Sequence, residues 1–151
     1  MDKEAILISA CLLGVPCRYD GASKPCSAVE ELRARYRLIP ICPEQLGGLP
    51  TPRPASEIGV DGRVRNRLGA DVTAEYLAGA EAALRIAWEN GCRLAVLKEK
   101  SPSCGSGKVY DGSFGGKLVA GDGITVRLLR KNGIRVIGER EILDLIRENV
   151  V

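Results

Sequence analysis

Six cysteines, Cys11, Cys17, Cys26, Cys42, Cys92 and Cys104, stand in a chain of 151 residues that has no histidine. The missing imidazole removes Ser-His-Asp and Cys-His machinery, His-ligated zinc and imidazole acid-base catalysis. Proton transfer therefore falls to Glu, Asp, Lys, Tyr, Cys or water. The densest chemistry lies in Cys42-Pro43-Glu44-Gln45-Leu46-Gly47-Gly48-Leu49-Pro50-Thr51-Pro52-Arg53, where twelve residues hold a thiol, a carboxylate, two glycines, three prolines and an arginine. The prolines lack backbone donors and the glycine pair permits backbone paths closed to other residues, so the stretch reads as a shaped loop.

The elements that must position these groups follow from the hydrophobic pattern. Ala5 to Ala10, Leu38 to Ile41, Arg93 to Lys98 and Ile134 to Ile137 are short apolar runs bounded by turn residues, the pattern of buried parallel strands. Helices are expected over about 28–36, with Ser27 and Glu30 as a capping box, and over about 72–90, capped by Asp71 and closed by Gly91. Two more run from near Asp122 to Asn132-Gly133 and from Glu139 to Asn149. Residues from Arg53 to Gly69 read as an irregular excursion with one hairpin, and the stretch around Tyr110-Asp111-Gly112-Ser113 as a glycine-rich loop. Strands alternating with helices imply an α/β fold: one domain over 1–151, a Rossmann-like three-layer αβα arrangement with a mostly parallel sheet.

In such a sheet, ligands bind beyond the carboxyl ends of the strands near the topological switch point. Cys11, Cys42 and Cys104 each follow a strand directly or within a few residues, so three remote positions arrive at one edge. The inference rests on the fold, because no CxxC pair is present. A closed structural zinc site wants a fourth thiolate, whereas an iron-sulfur cubane can take three and leave one iron open as a Lewis acid for a soft sulfur atom. Cys17 reads as a fourth ligand, a resolving thiol or a loop residue, with the loop residue favoured. Cys26 reads as local packing and Cys92 as core. Glu44, two residues beyond Cys42, is the acid-base candidate. Ser101 and Ser103 either donate to substrate or cap a turn. Arg18, Arg53 and Lys98 divide between substrate anchoring and surface roles.

The charge balance, 22 basic against 19 acidic side chains for a net +3, does not announce a nucleic-acid binder and does not exclude one. The amino end is acidic, and no apolar run approaches the roughly 20 residues that cross a bilayer. A cytoplasmic protein with no membrane partner is expected, in which thiols stay reduced and cysteine-rich loops signal metal or catalysis.

Three blocks carry a family resemblance: Ser9-Ala10-Cys11-Leu12-Leu13-Gly14-Val15-Pro16-Cys17-Arg18-Tyr19-Asp20-Gly21, the stretch from Cys42 to Arg53, and Leu97-Lys98-Glu99-Lys100-Ser101-Pro102-Ser103-Cys104-Gly105. They resemble the signature blocks of the DUF523 family, which includes thiouracil desulfurases, and Tyr110 to Phe114 and Gly121-Asp122-Gly123 are similar too. The resemblance implies a desulfidase with a 4Fe-4S cluster on Cys11, Cys42 and Cys104. It implies Glu44 as the acid-base residue, with Ser101 or, as second choice, Ser103 assisting; Arg18, Gly47, Gly48 and Arg53 are expected around the substrate from their own residue types and place. By implication the substrate is a thiolated pyrimidine base or nucleoside, whose sulfur binds the open iron while water supplies the replacing oxygen. A zinc-binding structural or regulatory module and a thiolated-RNA-binding protein are the alternatives; either a monomer or a homodimer is compatible with the chain.

Overall fold

The computed structural model describes residues 3–148. Four strands form a wholly parallel sheet: β1 (Ala5–Ser9), β2 (Arg37–Ile41), β5 (Leu94–Leu97) and β8 (Arg135–Gly138), in the order β2-β1-β5-β8. Two antiparallel hairpins lie outside it, β3 (Ser56–Ile58) with β4 (Val64–Asn66), and β6 (Lys108–Tyr110) with β7 (Leu118–Ala120). The helices are α1 (Val29–Arg35), α2 (Pro43–Leu46), α3 (Thr73–Glu89), α4 (Ile124–Lys131) and α5 (Ile142–Glu148).

All five residues of β1 are buried, as expected for a central strand covered on both faces. Successive side chains point to opposite faces. Ile6 and Ile8 pack with Val29 and Leu32 of α1 and Ile142, Leu145 and Ile146 of α5. Ala5 and Leu7 instead join Ala83, Leu84 and Ala87 of α3 and Val126 and Leu129 of α4. These two apolar layers make the expected αβα sandwich. From β1 the chain passes through α1 to β2 on one side, then through α3 to β5 on the other. The order reverses at β1, which places the switch point at the carboxyl ends of β1, β2 and β5.

Several local expectations change. Ser27 does not cap α1: Ala28 is the N-cap and makes no side-chain bond. The leading amides of Val29, Glu30 and Glu31 go instead to the carbonyls of Cys26, Ser27 and Ala28, so no hydroxyl is needed. Asp71 stands one position before the N-cap of α3, where its carboxylate accepts the Thr73 amide at 3.0 Å. Gly91 closes α3 with φ +67°. The hairpin expected in the Arg53–Gly69 excursion is β3-β4, whereas β6-β7 replaces the expected glycine-rich loop. The closing segment begins as a 3-10 turn at Glu139–Glu141 before α5, and its expected end at Asn149 lies outside the described residues. Among the described residues, no helix is long and apolar enough to cross a membrane.

Candidate active site

Each of the three sheet-edge cysteines is delivered by a different local device. Ser9 ends β1, and the chain coils at once into a 3-10 turn, Ala10–Leu13, that buries Cys11. Gly14 closes the turn in the left-handed region at φ +94°, a conformation that a β-carbon would strain, with its amide donating to Cys11 O at 3.2 Å. Cys42 is the extended N-cap of α2, with Pro43 at the first helical position, where its missing amide costs nothing. Cys104 lies in the loop after β5 and is held from both sides. The Ser101 hydroxyl accepts the amides of Ser103 and Cys104, each at 3.2 Å, and the Pro102 and Ser103 carbonyls accept the Ile124 and Thr125 amides that open α4, each at 2.9 Å.

Two close approaches fix these pieces. Gly47 at the end of α2 and Gly79 within α3 face each other so tightly that a β-carbon on Gly79 would lie 2.7 Å from the Pro43 carbonyl carbon, and one on Gly47 2.8 Å from that of Glu75. Gly123 lies equally close to the cysteine loop, where a β-carbon would come 2.5 Å from Ser103. Gly47 of the second block and Gly123 of Gly121-Asp122-Gly123 thus act as packing surfaces.

Cys11, Cys42 and Cys104 border one cavity of about 480 Å³, together with Glu44, Ser101 and Ser103. Glu44 is held by its neighbours. Its Oε1 accepts bonds from Arg53 Nε at 3.0 Å and from the Tyr76 hydroxyl at 2.8 Å, while Oε2 accepts the Ser103 hydroxyl at 3.3 Å. Ser103 also lies 3.4 Å from the Cys104 sulfur and 3.1 Å from the Ser101 hydroxyl. The two serines therefore differ: Ser101 caps the cysteine loop, and Ser103 links the carboxylate to a thiol. Tyr76 stays a neutral donor, because burial and then the Glu44 charge push its phenol upward.

The expected substrate contacts need revision. Arg53 borders the cavity, yet its guanidinium is committed inside the protein, to Glu44, to Pro50 O at 3.1 Å, to Thr51 Oγ1 at 2.9 Å and to Cys17 O at 3.0 Å. It is a clamp on Glu44 and on the first cysteine loop. Gly47 and Gly48 do not border the cavity. Gly47 is occupied by α3, and Gly48 closes α2 with φ +96°. Arg18 does border it, its guanidinium 5.7 Å from the Tyr19 ring centroid. Lys98 borders it as well but is paired to Glu139 at 3.1 Å.

Cys17, favoured above as an ordinary loop residue, is 2% exposed and borders the same cavity, and its carbonyl accepts the Cys42 thiol at 3.6 Å. The neighbouring Cys17 side chain and then burial push the Cys42 thiol well above the usual thiol range. Burial pushes Cys104 up to about 12. Ser9 and Tyr76 escaped the sequence reading. Both are buried, Ser9 accepting the Lys98 amide at 2.8 Å. A polar residue ending an otherwise apolar strand was the signal for Ser9; Tyr76 carried none, since its helical spacing is that of a core residue. Cys92 is core, as expected, and Cys26 packs at the edge of the core.

Among the described residues, no three His, Cys, Asp or Glu side chains gather tightly enough to hold a single metal ion. The thiols instead border a cavity with room for a larger group and a small ligand beside it. Soft sulfur donors from three separate elements, with no imidazole, fit a polynuclear iron-sulfur group.

The sequence matches the 2-thiouracil desulfurase family over residues 6–141. The chain belongs to that family. It is 41% identical over 150 residues to the uncharacterised YbbK protein of Bacillus subtilis (strain 168), covering 93% of this chain and 99% of that one. Among solved structures it is similar to the 4Fe-4S-dependent thiouracil desulfidase TudS, with a TM-score of 0.90, 49% identity and 97% of each chain covered. The three sequence blocks lie within the matched residues, and each contributes residues to the cavity wall.

Proposed function

We propose that this chain is a cytosolic, single-domain desulfidase that replaces the sulfur of a thiolated pyrimidine such as 2-thiouracil by oxygen, with water as co-substrate and hydrogen sulfide as second product. Membership of the family and the 49% identity to TudS support the reaction class. The observation that carries the site is Glu44, fixed by Arg53 and Tyr76 and joined through Ser103 to Cys104 at the cavity wall.

Cys11, Cys42 and Cys104 would hold a 4Fe-4S cluster, and Cys17 is a fourth thiol on the same cavity wall. When bound, the cluster supplies a Lewis-acidic iron with an open position for the thiocarbonyl sulfur. To serve as thiolate ligands, Cys42 would give up the proton that the Cys17 side chain and burial hold on it, and Cys104 the proton that burial holds. The remaining chemistry belongs to the chain. Water must add to the thiocarbonyl carbon, the carbon-sulfur bond must break, and both water protons must end on the departing sulfide. With Oε1 held by two donors, Glu44 presents Oε2 as the atom that takes a proton from the attacking water and passes it toward sulfur. Ser103 fixes that oxygen, and the cap formed by Ser101 fixes Ser103.

The test is anaerobic turnover of 2-thiouracil by the wild type and by Glu44→Gln, with iron and sulfide quantified in both. Loss of kcat by at least about 100-fold at unchanged iron content supports the assignment. An active Glu44→Gln enzyme overturns it.

A further inference from the structure

Above the cavity, the loop joining β6 to β7 carries the chain's one phenylalanine, Phe114. Phe114 borders the cavity and occupies the left-handed region at φ +60°, a conformation that costs a non-glycine residue energy and persists only where neighbours impose it. Those neighbours are visible. Glu57, on β3, reaches across and accepts two loop amides with one oxygen, Gly112 N at 3.0 Å and Phe114 N at 3.1 Å. Gly112, at φ +95°, lies against the backbone of Ile58 and Gly59, where a β-carbon would come 2.8 Å from Ile58 O. The Asp111 carboxylate accepts the Ser113 amide and hydroxyl at 2.9 and 2.6 Å, tightening the turn. Arg67 places its guanidinium 5.5 Å from the Phe114 ring centroid.

We infer that Phe114 is a substrate-binding residue that stacks on the flat face of the thiolated ring at the cavity mouth, with Glu57 as the positioning residue that holds it there. This rests on the desulfidase reading and goes beyond it. A thiolated pyrimidine carries its N–H and C=O groups on the ring edge and leaves a full π-face free, and stacking on an aromatic side chain is how proteins commonly hold an isolated base. The two hairpins thereby gain a purpose: β3 supplies the carboxylate, β6-β7 the ring, and neither belongs to the central sheet. Conversely, a loop serving only to join two three-residue strands needs neither a strained aromatic nor a carboxylate from another hairpin.

The experiment compares wild type, Phe114→Leu, Phe114→Tyr, Glu57→Ala and Glu57→Gln. Steady-state kinetics on 2-thiouracil are measured anaerobically, binding of uracil by calorimetry, and iron content for each protein. Phe114→Leu should raise KM and weaken uracil binding by about 10-fold or more, with a smaller change in kcat, while Phe114→Tyr stays near wild type. Glu57→Ala should reproduce the KM rise with iron content intact, and Glu57→Gln, which keeps an acceptor oxygen, should rescue it. Unchanged KM and unchanged uracil binding in Phe114→Leu overturn the inference. So does an equal loss in Glu57→Gln and Glu57→Ala, for the positioning role. Absence of 2-thiouracil turnover by iron-loaded wild type overturns the underlying reading instead, whatever the variants do.

Discussion

Gly79→Ala sets two physical effects against each other. Gly79 lies inside the 17-residue helix α3, where exchanging glycine for alanine ordinarily stabilises by roughly 0.5–1 kcal/mol. Here the added methyl would meet the backbone of Pro43, at 2.7 Å from its carbonyl carbon, whereas ordinary contact begins at 3.4 Å. The Pro43 carbonyl oxygen lies closer still, and as backbone it cannot rotate aside, so α2 and α3 must part by at least about 1 Å. Overpacking of this kind costs about 1–3 kcal/mol, more than the helix gains. The net loss, about 1–2 kcal/mol, lowers the melting temperature by about 2–8 °C in a chain of this size. Because α2 begins beside Cys42 and carries Glu44, the displacement also moves a thiol and the proposed acid-base carboxylate, and misplacement of about 1 Å is worth up to about 100-fold in rate. Thermal denaturation followed by circular dichroism, iron content and kcat on 2-thiouracil measure the three consequences. A Gly79→Ala protein that is more stable than wild type, with normal iron and normal kcat, would refute the claim that this glycine contact sets the site.

Tyr76→Phe removes one donor to the Glu44 carboxylate without changing shape; a hydrogen bond to a charged group is worth about 1.5–3 kcal/mol, so melting should fall by several degrees and kcat with it. An unchanged melting temperature and rate would show that Arg53 and Ser103 hold Glu44 without Tyr76. Ser103→Ala should lower kcat more than it lowers iron retention, whereas Ser101→Ala, which frees two loop amides, should lower iron retention first; the reverse order in kinetics and iron assays would exchange their roles. The thiol protons give a pH dependence. Cys104 is pushed up to about 12 and Cys42 higher, so both are protonated from pH 7 to 9 and iron must displace their protons. Reconstitution with iron and sulfide should therefore strengthen as pH rises through that range and should release protons, and a flat yield without proton release would contradict the liganding role.

The sheet and the three cysteines were legible because each signal is local. A run such as Ala5-Ile6-Leu7-Ile8-Ser9 declares a buried strand, and a cysteine just beyond it inherits a position at the sheet edge. Glu44 was legible by its place after Cys42. The partners of Glu44 were not, because Tyr76 is 32 residues away and looks like one more apolar residue of α3. Arg53 misled in the other direction: a lone arginine in a loop suggests a ligand anchor, and only the fold shows that Glu44, Pro50, Thr51 and Cys17 already claim it. Gly47 and Gly48 read as pocket wall because glycine admits close approach; the approaching partner at Gly47 is α3. The β6-β7 hairpin escaped because strands of three residues flanked by glycines are too short to show alternation.

The most direct measurement is the product balance of a single anaerobic incubation. Iron-loaded protein mixed with 2-thiouracil in deoxygenated buffer should form uracil and sulfide in equal amounts, over many turnovers and without added reductant, and Cys42→Ala should lose both iron and turnover. Iron-loaded wild type that yields neither uracil nor sulfide, or a Cys42→Ala protein that retains full activity, would contradict the account.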